Sequence, residues 1–243
     1  MSTTSKTEGT LFLDYSFSST VDPSVSDTDY LIKQVTAEIK AYDLRSSTKT
    51  DTAFIGKIGF YIIQVGTAIN KGYPLSDVFD FNDKLSQLGN FIYENNFDSL
   101  NQQFLSAFPE AFSFYDIIYF DYAFVVKEAR GSRILPPCVY QVLLDFGSGC
   151  SFAFSRPFPL QFYAIPEKAL EGFKDLGLNS FTKDRTDSTN DLIKYFCSFG
   201  FKEIPLTEFV AVGREDIEEN ISKENFQMFH EFPISLFEKF PTS

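Results

Sequence analysis

The chain has 243 residues, 44% of them hydrophobic, enough for one large domain or one domain with an appendage. Its 21 basic and 33 acidic residues leave a net charge of −12; no Lys/Arg-rich stripe is present to neutralise phosphates, so no nucleic-acid partner is expected. A single histidine, His230, excludes a Ser-His-Asp triad and a two-histidine metal site, and no glycine-rich segment carries the Lys-Ser/Thr of a nucleotide-hydrolysing loop.

The cysteines, Cys138, Cys150 and Cys197, lack metal-ligand spacing and sit beside apolar neighbours, so they read as buried free thiols. The polar opening MSTTSKTEGT lacks the apolar run of a secretory signal, and no stretch reaches the roughly 18 apolar residues of a membrane helix. A reducing cytoplasm and no membrane association are expected. Thirty phenylalanines predict a ring-rich core and raise the chance of exposed aromatic patches.

In chain order, residues 10–17 (TLFLDYSF) alternate and predict a strand, followed by a loop, STVDPSVSDT. The segments 35–45 and 53–69, joined by the turn SSTKTDT, predict an antiparallel hairpin. From Pro74 the spacing of Val78, Phe79, Phe81, Leu85, Leu88, Phe91 and Ile92 is helical, ending at Asn95–Asn96, and a shorter helix is expected over 98–107. Residues 116–126 (DIIYFDYAFVV) are apolar on both faces, as in a central strand covered on both sides.

Pro136–Pro137 open a helix whose stop is Gly147 or Gly149. A strand over 150–165, interrupted by Pro157 and Pro159, follows, then a helix over 169–178 and another over 189–198 capped near Ser188/Thr189. KEIPLTEFVAVG (202–213) closes the domain as a strand. The division expected is a domain over 1–213 and a tail over 214–243 that docks as a helix. Phe226, Phe229, Phe232, Leu236, Phe237 and Phe240 of that tail either cap the chain's own core or insert into a second subunit, which leaves a homodimer open.

Three blocks in this order, IIYFDYAFVVKEARG (117–131), FGSGCSFAFSRPFPLQF (146–162) and YFCSFGFKEIPLTEFVAV (195–212), resemble a bacterial and phage subgroup of the GNAT N-acetyltransferase superfamily. In that subgroup a strand leads into V-x-P-x-x-R-G-x-G-x-G, a later strand ends K-P-F-P-L-Q-F, and a helix ends Y-Y-x-x-x-G-F. The resemblance covers about half the chain. It implies an α/β (α+β) fold with a central mixed, mostly antiparallel twisted sheet flanked by helices, and transfer of an acetyl group from acetyl-CoA to an amine of a small molecule or protein. The backbone of Phe124, Val125 and Val126 would hold the pantetheine arm, and Arg130, Gly131, Ser132 and Arg133 the pyrophosphate, because glycines let backbone N–H groups approach a phosphate at a helix N-terminus.

The match has two departures. Arg133 and Leu135 stand where the pattern has its later glycines, and Pro136 and Pro137 have no N–H to donate. Four residues before Gly200, where a tyrosine commonly protonates the departing thiolate, stands Phe196, with Tyr195 beside it and about 100° away around a helix. Tyr195 remains the candidate acid, and Asp121 and Glu128 are candidate bases for the amine. An inactive GNAT scaffold that binds a protein partner stays open as the alternative.

Overall fold

A computed structural model describes residues 6–18, 28–44, 52–109, 111, 116–162, 176, 178, 181, 184–223 and 229–233. One mixed sheet organises them. Its strands are β1 (Lys6–Ser18), β2 (Ile32–Asp43), β3 (Thr52–Ile63), β6 (Asp116–Val125), β7 (Cys150–Ser155), β8 (Lys202–Glu203), β9 (Val210–Gly213) and β10 (Phe229–Pro233). They lie in the order β10-β1-β2-β3-β6-β7-β9-β8. Every neighbouring pair is antiparallel except β6 and β7, whose parallel pairing requires a crossover. Helix α5 (Leu135–Phe146) makes it.

Helices cover both faces. Between β3 and β6 the chain forms α1 (Val65–Lys71), α2 (Leu75–Phe79), α3 (Asp83–Ile92), a two-stranded ribbon of β4 (Tyr93–Glu94) and β5 (Ser99–Leu100), and α4 (Gln102–Ala107). These pack with Tyr61, Ile117, Tyr119 and Phe154 on one face. The other face, bearing Ile58, Phe60, Ile118 and Phe120, packs with α5 and with the end of α6 (Arg185–Cys197) through Phe196, Phe199 and Phe201. β6 alternates between the two cores, which explains its apolar sequence.

The predicted hairpin forms as β2 and β3, but the second arm stops at Ile63 and Val65 begins α1. The helical run after Pro74 divides at Asp80–Asn82, where the Asn82 side chain accepts from the N–H groups of Lys84 and Leu85 and starts α3 afresh. Asn95 and Asn96 take positive φ (52° and 59°) in the turn between β4 and β5, so the predicted second helix begins only at Gln102. Helix α6 starts four residues ahead of the expected Thr189, because Asp184 is the cap and accepts from Asp187 N–H at 2.9 Å. The segment 202–213 is two short strands joined by a turn, with no continuous strand.

Beyond Gly213 the chain forms α7 (Arg214–Lys223) and then β10, which pairs with Lys6–Thr10 of β1. The tail thus supplies an edge strand of the main sheet as well as a helix. Phe226, Leu236, Phe237 and Phe240 lie outside the described residues, as does the predicted helix over 169–178 apart from Leu176 and Leu178. Cys138 and Cys150 are buried, and burial pushes both thiols up to about 12. Cys197 is exposed, contrary to its apolar sequence context, because it lies on the outer face of α6.

β3 and β6 approach closely at two glycines. A Cβ on Gly56 would lie 2.1 Å from the backbone oxygen of Phe124, whereas one on Gly59 would meet only the ring of Tyr122, at 2.2 Å. Backbone cannot yield as a ring can. Gly56→Ala is expected to cost about 3 kcal/mol and Gly59→Ala about 1 kcal/mol, with Tyr122→Ala relieving only the second; urea denaturation of the single and double variants checks both.

Candidate functional site: a cleft between two diverging strands

The pairing of β6 with β7 ends at Phe120 and Ser155. Two features of the sequence enforce this. The residues after Ser155 include Pro157 and Pro159, which at alternate positions remove two N–H donors from the same edge of the strand. On the other side, the register against β3 shifts between Gly59 and Phe60, so that Asp121 is an extra, bulged residue. The Ser155 hydroxyl, itself buried, donates to the Phe120 carbonyl at 3.3 Å and closes the vertex.

Past the vertex β6 continues to Val125 with only β3 beside it. Val126 donates to the Ile55 carbonyl at 2.8 Å; by alternation, Ala123 and Val125 turn their backbone groups away from β3 and into the gap. The gap opens into a cleft of about 500 Å³, walled by Ala123–Val125, the Ala129–Leu135 turn, Phe158–Gln161 and one side of α6.

At the head of the cleft the chain leaves β6 through a short turn and enters α5. Gly131 and Arg133 both have positive φ (79° and 52°), and Ile134 returns to right-handed values (φ −75°, ψ −37°). Alternation of this kind turns successive N–H groups toward a common point. The N–H groups of Gly131, Ser132, Arg133, Ile134 and Leu135 meet no acceptor among the described residues. Pro136 and Pro137 occupy the next two positions, so the donor row stops at Leu135.

The expected residues divide as follows. Phe124, Val125, Arg130, Gly131, Arg133 and Tyr195 line the cleft; Val126 and Ser132 do not, and the N–H of Val126 is spent on β3. The Arg130 guanidinium donates to the Leu176 carbonyl and lies 4.6 Å over the Phe181 ring. Burial holds it below the usual arginine range against the pull of Glu128. Arg130 therefore fastens the cleft wall, and Arg133 is the more exposed cation at the head. Glu128 is exposed and outside the cleft. Asp121 is also outside it, on the α3 side of the sheet, paired with Lys84.

Tyr195 is half-buried in the cleft wall, and Phe196 is turned into the core against Phe199 and Phe201. The tyrosine hydroxyl has no hydrogen-bond partner among the described residues; burial pushes it up to about 12, against the opposing effect of Arg133. Sequence reasoning placed Phe158–Gln161 only in a strand of the resembling block and Ser188 only at a helix cap. It gave none of them, nor Leu192, a place in the site, although the two prolines flanking Phe158 were the available signal that a strand stops there. Gln161 donates to the Ser188 hydroxyl at 3.1 Å, and Arg185 lies 4.9 Å over Phe158, so this segment is held to α6.

No protein-family model matches the chain, and neither a curated protein nor a solved structure does. The site accordingly rests on its own geometry.

Two measurements check that geometry. A side chain at positive φ is strained by about 1–2 kcal/mol, so Arg133→Gly is expected to stabilise the fold by about 0.5–1 kcal/mol after the larger unfolded-state freedom of glycine is deducted, read as a higher urea midpoint at unchanged slope. The folded state keeps the Tyr195 proton above pH 10, where the unfolded chain loses it; this contribution to stability is complete below pH 10 and is lost as pH rises toward about 12. The absorbance titration of wild type minus Tyr195→Phe is expected to show one phenol ionising near 12.

Proposed function

We propose that the chain is an N-acyltransferase of the GNAT type, moving an acetyl group from acetyl-CoA to an amine. The observation that carries this reading is the divergence of two parallel strands into a cleft headed by a row of amides, without acceptors among the described residues, at the start of a helix. Such a row, with the helix dipole behind it, is a receptor for phosphate oxygens. Acetyl-CoA supplies an activated thioester.

The chain's residues take complementary parts. The amides from Gly131 to Leu135, with Arg133, would hold the pyrophosphate, and the backbone groups of Ala123 and Val125, turned away from β3, would pair with the pantetheine arm. Tyr195 lines the cleft, keeps its proton throughout the neutral range and would be the donor to a departing thiolate. The apolar wall of Leu160, Leu192 and Ile134 excludes water from a bound thioester. The excess of carboxylates over the surface favours a cationic amine as acceptor.

One observation favours the second reading, a scaffold without cofactor that binds a protein. The proline pair shortens the donor row, and Arg130 is already engaged by Leu176 and Phe181. Calorimetric titration of acetyl-CoA at low salt separates the readings. The expected result is binding in the micromolar range (about −8 kcal/mol), abolished by Gly131→Trp, with Tyr195→Phe lowering turnover by about 10²-fold or more and leaving affinity unchanged. Absence of binding overturns acetyl transfer.

A further inference from the structure

Among the described residues, the charged side chains that line the cleft are Arg130, Arg133 and Asp191. The two arginines belong to the turn at its head, where the amides also face an incoming anion. Asp191 is the one carboxylate among them, and it stands on α6. Ser188, Asp191, Leu192 and Tyr195 all line the cleft, at the three- and four-residue steps that put side chains on one face of a helix. Asp191 therefore lies one turn ahead of Tyr195, with about 5–6 Å between the two Cβ atoms. The cleft is electrically asymmetric, positive at the turn and negative on the helix wall.

We infer that Asp191 is the residue that selects and holds the acceptor, a primary alkylamine that enters as its ammonium ion. The inference rests on the acyltransferase reading and names the specificity-determining side chain of that site. A thioester whose sulfur is protonated by Tyr195 lies against the same face of α6, so a carboxylate one turn away is within reach of the nitrogen that attacks its carbonyl. Asp191 already has a cation beside it, Lys194 at 3.5 Å, but the two side chains are 74% and 76% exposed. A pair so open to water is worth little and yields to an ammonium held in the cleft. The charge-assisted hydrogen bond that replaces it is short and directional, and Leu192, next to Asp191 on the helix, offers apolar surface to the alkyl chain.

The proton balance fits this placement. One of the three ammonium protons passes by way of Asp191 to solvent, which reaches this side chain, and the freed lone pair bonds to the acyl carbon. The carbon–sulfur bond breaks, Tyr195 gives its proton to the departing sulfur, and the second nitrogen proton restores the tyrosine through solvent. The third stays on the amide. No oxidant or reductant enters. An amine that carries a carboxylate of its own meets Asp191 with like charge and is rejected for that reason.

The test is steady-state acetylation of 1-aminobutane and of 4-aminobutanoate by the full chain saturated with acetyl-CoA, read as release of the CoA thiol. The expected result is a preference for 1-aminobutane of about tenfold or more in kcat/KM. Asp191→Asn is expected to raise the KM for 1-aminobutane about tenfold and to abolish the preference, with calorimetric acetyl-CoA affinity and melting temperature unchanged. Asp191→Glu, which keeps the charge, is expected to retain most of the preference. An unchanged KM in Asp191→Asn overturns the inference, as does a wild type with no preference for 1-aminobutane. A chain that binds acetyl-CoA and acetylates neither amine also overturns it and leaves cofactor binding standing, whereas absence of binding overturns both the inference and the acyltransferase reading.

Discussion

The parting of β6 from β7 is the constraint on which the other features of the site depend. Two parallel strands stay together only while both edges supply donors and acceptors, and past Ser155 the β7 side carries prolines at two alternating positions. Backbone groups stripped of a partner strand still require one. The polar edge of Ala123 and Val125 therefore faces a cleft in which water or a ligand must take the place of the missing strand. A binding site of this kind arises from an interruption in the sheet, and its walls are whatever elements the crossover places nearby.

The interruption is stabilised from both faces. On one, Phe120 at the vertex packs against Phe60 and Phe201, with ring centroids 6.0 and 6.3 Å apart, so the point of divergence is anchored in the aromatic core. On the other, α3 engages the two strands separately through Lys84 and Gln87. Rings packed at these distances tolerate little displacement, and the width of the gap is set by covalently distant elements that meet only in the folded chain. The many phenylalanines thus make a stiff frame around a break in hydrogen bonding.

Much of this was legible in the sequence where the signal was local. The hairpin, the doubly apolar central strand and the proline-initiated helix were each carried by periodicity or by a cap. The reach of β7 was not, because 150–165 reads as one apolar run until Pro157 and Pro159 are weighed as lost donors and not as minor interruptions. The roles of Tyr195 and Phe196 were also hidden. Counting from Gly200 fixes which residue lies in a given place on an ideal helix, but Phe196 is drawn into the cluster with Phe199 and Phe201, which leaves Tyr195 in the cleft wall. Asp121 was singled out as a carboxylate inside an apolar strand, yet its partner Lys84 lies 37 positions earlier, on a helix whose orientation no local pattern reports.

The turn ahead of α5 shows how its neighbours hold a backbone in a conformation that its own residue does not favour. Arg133 adopts the positive φ that glycine would adopt without strain, and its neighbours explain why. Ile134 and Leu135 are buried beneath the turn, while Pro136 and Pro137 fix the first turn of the helix at the dihedral it needs. Both sides of the turn are held, and the strain at Arg133 is offset by the burial of Ile134 and Leu135. The prolines remove two amides but make rigid the ones that precede them, and Arg133 places an exposed cation at the head of the turn. Charge on a fixed turn complements the amides it carries, and amides held in one conformation meet an anion at lower entropic cost.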